Sequence, residues 1–356
     1  MIYRTRDEKL MAMALRLAVK GLGETSPNPV VGCLLYKNGH IIAKDYHHKA
    51  GQPHAEVLVL RKAGVEASGA TMYVTLEPCS TYGRTPPCTE EIIKAKVRKV
   101  IIGTIDPNPK INGRGVQALK KAGIEVVTGV IKEECKKINV AYNKFITTKL
   151  PFVTVKFAQS LDGRIATQNG SSQWISSQQS LKFAHCLRAQ NDAILVGANT
   201  ANRNNPQLTV RLVKGRNPVR IILSESGQVK KNLKLFTDKN APTILATSRK
   251  ARIDFDVEKI LLPKRSKGLN LETLLRKLSD RDIMSLLVEG GAMVITSFLK
   301  QNMVDRIIVI VAPILIGRGV EAVTDLHIKD ISQALKLKNV EYKKMGSDFV
   351  VFGDLN

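Results

Sequence analysis

The sequence predicts an α/β protein built from two domains, on three observations. Runs rich in Val, Ile and Leu alternate with helix-like patterns along the whole chain. That series restarts around residues 147–151. A chain of 356 residues holds two ordinary domains, not obviously three. The expected domains are residues 1–147 and 148–356.

The first series opens with an amphipathic helix over 6–22, which puts Leu10, Met13, Ala14, Leu17 and Ala18 on one face. Residues 25–29, TSPNP, form a turn. Strands at 30–36 and 40–43 flank Asn38-Gly39, a hairpin signal because both residues tolerate positive φ. A helix is expected over 54–63. A strand over 71–76 then delivers the chain to Glu77-Pro78-Cys79. A helix follows the Pro86-Pro87 pair, over 86–96. Strand 100–105, helix 115–123 and strand 124–128 complete the domain. In the second series, buried-type strands are expected at 152–157, 193–196, 219–223, 243–246, 285–288 and 306–311, with 348–353 closing the chain. There is no internal repeat and no low-complexity segment.

Composition narrows the function classes. Hydrophobic residues at 44% and charged residues at 24% are those of a globular chain able to bury a core in each half. No apolar run approaches the ~18–20 residues needed to cross a bilayer. The N-terminal stretch mixes charge with apolar residues at helical spacing, without the apolar core of a signal peptide, so a cytoplasmic, non-membrane protein is expected. Five cysteines, an odd number, argue against a disulfide framework and leave thiols free for metal. The net charge of +24 is spread evenly, +11 over residues 1–150 and +13 over the rest. With aromatics at only 5%, stacking platforms for nucleic acid are lacking. The expectation is a lysine-rich surface, small phosphorylated ligands and no nucleic-acid partner.

The sharpest chemistry lies in His54-Ala55-Glu56, Pro78-Cys79 and Cys88. One imidazole and two thiolates suit zinc, and the two thiolates balance its charge. Three protein ligands leave a fourth position open for water, whose pKa the ion lowers. Glu56, two residues from His54, is placed to move protons rather than bind metal. The set matches the H-x-E and P-C parts of the zinc-deaminase signature. The second cysteine, however, comes after eight intervening residues instead of two. A structural zinc site would need a fourth Cys or His. Cys33, the loose candidate, falls inside an apolar strand and reads as a core thiol.

With these residues in view, the chain resembles the bacterial bifunctional deaminase–reductase family of riboflavin biosynthesis. The resemblance rests on TSPNPVVG (25–32), HHKAGQPHAE (47–56), VTLEPCS (74–80), GRTPPC (83–88) and DPNP (106–109). It continues through KFAQSLDGRIA (156–166), SQWIS (172–176), LRAQNDAILVG (187–197), NPQLTVR (205–211), VEGG (288–291) and APILIG (312–317). It implies a cytidine-deaminase-like three-layer domain followed by a dihydrofolate-reductase-like domain, and indeed no G-x-G-x-x-G follows the first strand. It implies zinc on His54, Cys79 and Cys88, proton transfer by Glu56, and deaminase substrate contacts from Asn28 and Arg84. In the reductase it implies NADPH near Ala158, Trp174, Thr200, Asn204 and the run Gly291, Ala292, Met293, Val294, Ile295, Thr296 and Ser297. Substrate contacts fall on Ser172, Arg188, Leu208, Arg211 and Glu289. A homo-oligomer, dimer or tetramer, is expected. Lys156 and Asp162 either orient the reductase site or pair with each other.

Two positions depart from the family pattern. Thr81 stands where a His usually follows Cys-Ser, and Asn204 stands where an Asp usually precedes Asn-Pro. Asn cannot give up a proton at a useful pKa. The rival expectation is therefore a paralogue with an active deaminase and a weakened or redirected reductase. Asp45 for Gly and Ser224 for Asp read as minor departures.

Overall fold

The computed structural model describes residues 3–82, 86–172, 175–266 and 268–355. Arg84 and Trp174 therefore lie outside the described residues. The chain forms two compact units, one ending at Lys149 and the other beginning at Leu150.

The N-terminal unit runs α1 (Arg6–Ala18), β1 (Gly32–Lys37), β2 (His40–Tyr46), α2 (Ala55–Ala63), β3 (Thr71–Leu76), α3 (Cys88–Lys94), β4 (Lys99–Thr104), α4 (Arg114–Lys121), β5 (Glu125–Thr128), α5 (Lys132–Lys137) and α6 (Val140–Thr148). Thr5 caps α1 in a reciprocal capping box with Glu8. Asn38 and Gly39 turn the β1–β2 hairpin at φ 47° and 88°, the conformation expected of that dipeptide. The sheet order is β2-β1-β3-β4-β5, with β1 antiparallel to both neighbours and β3, β4 and β5 parallel.

Strand alternation builds two cores on this sheet. Leu35, Met72, Val74 and Ile102 face one side, with Val59 and Leu60 of α2, Ile92 of α3 and Leu119 of α4. Leu34, Tyr73 and Ile101 face the other, with Leu10, Met11 and Ala14 of α1 and Cys135 of α5. The result is three layers. Cys33 is fully buried in the first core, a packing thiol as its apolar strand suggested.

The C-terminal unit continues with β6 (Phe152–Ser160), β7 (Arg164–Thr167), α7 (Gln178–Gln190), β8 (Ala193–Gly197), α8 (Ala198–Asn204), β9 (Val219–Ser224), α9 (Lys234–Thr237), β10 (Thr243–Ser248), β11 (Glu258–Leu262), β12 (Lys264–Arg265), β13 (Gly268–Leu269), α10 (Leu271–Ser279), β14 (Ser285–Val288), α11 (Ala292–Lys300), β15 (Arg306–Ala312), β16 (Gly319–Glu321), β17 (Lys338–Met345) and β18 (Asp348–Asp354). Its main sheet has nine strands in the order β11-β10-β9-β8-β14-β6-β15-β18-β17. The strands from β11 to β15 are parallel, and the last two pairings are antiparallel. Parallel strands covered by helices on both faces read as unbroken apolar runs, which is why ILV at 194–196 and LLV at 286–288 announce themselves. One face packs against Leu274, Leu278, Ile295 and Phe298, the other against Leu187, Ala201 and Leu235.

Candidate active sites

In the N-terminal unit the metal-type residues come from three element ends. His54 is the residue before α2, held in extended conformation, and Glu56 lies in that helix's first turn. Cys79 follows β3, and Cys88 is the first residue of α3. The His54, Cys79 and Cys88 ligand atoms all lie within 4.8 Å of one another. His54 Nδ1 is 3.2 Å from Cys88 Sγ and 3.6 Å from Cys79 Sγ, and the Cys88 backbone N–H donates to Cys79 Sγ at 3.3 Å. This donor set and spacing fit a tetrahedral zinc with one position left over.

The turn carrying Cys79 is pinned by Glu77. Its carboxylate accepts from the backbone N–H groups of Asp106 (3.2 Å), Gly113 (2.9 Å) and Val116 (3.1 Å). Gly115 lets α4 approach this turn, because a Cβ there would sit 2.2 Å from the Pro78 carbonyl oxygen. These bonds hold the chain leading into the cysteine.

Glu56 is 3% exposed, and burial pushes its carboxyl up to about 7. Cys79 is held down, to about 4, first by the hydrogen bond from Cys88 and then by His54. Cys88 is pushed up by its bond to Cys79 and by burial. A cation between them favours both thiolates and the Glu56 carboxylate.

Asn28 sits in a turn where its N–H donates to the Thr25 carbonyl at 2.7 Å. Its side-chain amide lies 3.1 Å from Nε2 of His47. Nδ1 of His47 faces the Pro53 carbonyl at 3.2 Å, so that nitrogen carries the proton and Nε2 accepts from the Asn28 amide. Burial keeps His47 neutral by lowering its pKa. The His47 ring also meets His54 edge-on, with centroids 5.3 Å apart. The structure thus links Asn28 to the metal set through a histidine the sequence reading passed over. The available signal was His47 inside HHKAGQPHAE, masked by its exposed neighbour His48. Thr81 is exposed.

In the C-terminal unit a cavity of about 980 Å³ opens at the C-terminal ends of β8, β9, β10 and β14. Ala158, Ser172, Thr200, Asn204, Glu289, Gly291, Ala292, Met293, Val294 and Ser297 line it. Two residues of the expected cofactor run do not. Ile295 is fully buried in the core, and Thr296 turns inward, where its hydroxyl accepts from the Thr324 backbone N–H at 2.8 Å. The reason is helical: from Ala292 onward the run is α11, so only part of each turn faces the cavity. Gly291 caps that helix without a side-chain bond and leaves first-turn N–H groups free for a phosphate.

At the inner end of the cavity, Glu289 is clamped. Arg188 grips it with two bonds, Nε to Oε1 at 3.0 Å and Nη2 to Oε2 at 2.8 Å, and Lys156 Nζ lies 3.3 Å away. Burial alone would raise the Glu289 carboxyl, but the two cations overcome it and hold it at about 2. Lys156 therefore pairs with Glu289 and not with Asp162. Asp162 instead accepts from Ser160 Oγ and from the N–H groups of Ile316 and Gly317. Arg211 joins this cluster through its backbone N–H, which donates to His185 Nδ1 at 3.0 Å, and through its bond to Thr209 Oγ1 at 2.7 Å. Thr209 is shared with Arg188, which reaches its carbonyl at 3.4 Å. Leu208 is different: at φ 55° it sends its side chain into the core, so only its backbone is left to meet a ligand.

Comparison with known proteins agrees with both halves. Residues 4–104 match the cytidine and deoxycytidylate deaminase zinc-binding region, and residues 151–351 match the RibD C-terminal domain. The riboflavin biosynthesis protein RibD of Aquifex aeolicus is 45% identical over 99% of this chain and 99% of its own. That of Escherichia coli is 37% identical over 96% of this chain and 98% of its own. A crystal structure of the diaminohydroxyphosphoribosylaminopyrimidine deaminase/5-amino-6-(5-phosphoribosylamino)uracil reductase of Thermotoga maritima superposes with a TM-score of 0.89 at 40% identity, covering 98% of this chain and 99% of that one. Fold, metal-type cluster and full-length likeness converge: the chain belongs to the RibD family of riboflavin biosynthesis proteins and is a bifunctional deaminase and reductase.

Proposed function

We propose that the N-terminal unit removes the 2-amino group of 2,5-diamino-6-(5-phosphoribosylamino)pyrimidin-4(3H)-one. The C-terminal unit then reduces the ribosyl group of the product, 5-amino-6-(5-phosphoribosylamino)uracil, to ribityl with NADPH. The observation that carries the first step is the convergence of His54, Cys79 and Cys88 beside the buried Glu56. His54, Cys79 and Cys88 would hold zinc, which when bound makes water nucleophilic near neutral pH. Glu56 takes a proton from the attacking water and returns it to the departing amine, a role suited to a carboxyl whose burial already brings it near neutrality. Asn28, with one of its two amide N–H groups engaged by His47, presents its carbonyl oxygen to a donor on the pyrimidine ring. Arg84 is assigned to the substrate from the sequence.

For the second step, NADPH supplies the hydride and lies along the large cavity, its phosphate against the start of α11. Glu289, held ionised, accepts from the substrate and keeps Lys156 and Arg188 aimed at it. Arg211 and Arg188 serve the sugar phosphate. The rival reading, a paralogue with a redirected reductase, is disfavoured by the full-length 45% identity. We further place the enzyme in the cytoplasm, with small-molecule substrates and no nucleic-acid partner. Five free cysteines accord with a reducing compartment. A homo-oligomer, dimer or tetramer, is supported by apolar side chains left exposed near the C-terminus, Ile331, Leu335, Tyr342 and Phe349 among them.

The test supplies the diaminopyrimidinone phosphate and NADPH together to zinc-loaded protein. Ammonia release and loss of nicotinamide absorbance are followed in the same cuvette. Equal amounts support the paired assignment. Ammonia without NADPH oxidation would leave the deaminase standing and remove the reductase. Glu56→Gln should keep stoichiometric zinc and lose deamination by 10²-fold or more. Cys88→Ser should lose the zinc itself, read by metal analysis.

A further inference from the structure

At the opposite end of the N-terminal sheet lies a second cavity, of about 500 Å³, that neither step uses. It sits where β3 and β4 begin, at Thr71 and Lys99. The metal-type ligand Cys79 lies beyond the other end of β3, roughly 16 Å of strand away. Four cations reach it from three separate parts of the fold: Arg6 from the first turn of α1, Lys37 from the β1–β2 hairpin, and Arg98 and Lys99 from the start of β4.

Their partners are uneven. Lys99 has Glu125 at 2.7 Å. Lys37 spends its ammonium on two backbone carbonyls, Glu66 at 3.1 Å and Ser68 at 2.6 Å, which leaves its charge uncompensated. Arg6 lies 5.9 Å over the Tyr36 ring. Among the described residues neither Arg6 nor Arg98 has a carboxylate partner. The single carboxylate on the wall, Asp7, is tied to the Tyr73 hydroxyl at 2.6 Å.

Here cations from different elements converge on a concave site whose walls are mostly polar, and guanidinium forks match phosphate oxygens. The volume falls in the range of small-ligand sites. We propose that this cavity binds a small phosphorylated anion of sugar-phosphate size, at a site separate from both active sites.

The test titrates inorganic phosphate into the full-length, zinc-loaded enzyme at low ionic strength, followed by calorimetry. Because the Arg188–Arg211 cluster and the start of α11 are also proposed to take phosphate, more than one saturable event is expected, one of them at this cavity. The Arg6→Gln/Arg98→Gln double variant should weaken one event at least tenfold and leave the others. Its deaminase turnover in phosphate-free buffer should equal that of the parent. Arg211→Gln should leave that event unchanged and weaken a different one. Lys37→Met, acting through a different element, should weaken the same event as the double variant. The proposal is overturned if the double variant titrates as the parent does, if Arg211→Gln abolishes all binding, or if phosphate merely screens the protein without saturation.

Discussion

Glu289, Arg188 and Lys156 form a buried charge cluster that stays intact because each group is answered by another. His185 borders this cluster, 2% exposed, and burial together with Arg188 and Arg211 lowers its pKa from 6.5 to about 4. Its Nδ1 must stay unprotonated to accept from Arg211. Below pH 6.5 the unfolded chain takes up a proton there that the folded chain refuses. Its contribution to stability is therefore complete above pH 6.5, declines as pH falls towards 4, and levels off below. Melting temperatures measured between pH 4 and 7 should drop more steeply for the parent than for His185→Gln. Parallel curves would refute this placement of the proton.

At the scale of elements, Gly115 decides how closely α4 approaches the turn bearing Cys79. Gly115→Ala puts a methyl against the Pro78 carbonyl and should cost the N-terminal unit about 1–3 kcal/mol. Zinc per chain and deamination should fall while NADPH oxidation on the deaminated substrate is unchanged. The same scale shows what the sequence made legible. Strands with unbroken apolar runs, the Asn38-Gly39 hairpin and the His54–Cys79–Cys88 set were readable because local pattern and burial agree. Two of the missed elements carry the opposite signature. KEECKK of α5 is nearly all charged and packs only through Cys135. KNVEYKKM of β17 is exposed almost throughout, so no alternation marks it as an edge strand. In the site, the sequence singled out Glu289, which lines the large cavity. Its clamp by Lys156 was not legible, since partners 133 positions apart in sequence meet only when β6 and β14 pair.

Over the whole molecule, each unit encloses cores of its own, one on either side of each sheet. Two thermal transitions are therefore expected. Removing zinc with a chelator should lower the one belonging to the N-terminal unit, because a ligand bound only by the folded state adds stability by mass action. Saturating NADPH should raise the other. Differential scanning calorimetry reads both, and a chelator that shifts both equally would contradict independent stabilisation.

The strand order of the nine-stranded sheet also bears on how the protein is made. β6 is the first strand of its unit to be synthesised, yet it lies between β14 and β15, and the chain reaches them only after Ser285 and Arg306. At synthesis rates of ~5–20 residues per second, the chain needs roughly 7–27 s to reach the first of them. Throughout that time, the apolar segment from Phe152 waits without either neighbour while the upstream unit can already be complete. Newly made chains are thus most exposed to aggregation and to chaperone capture late in translation, and the vulnerable stretch is the one that ends up in the middle of the finished sheet.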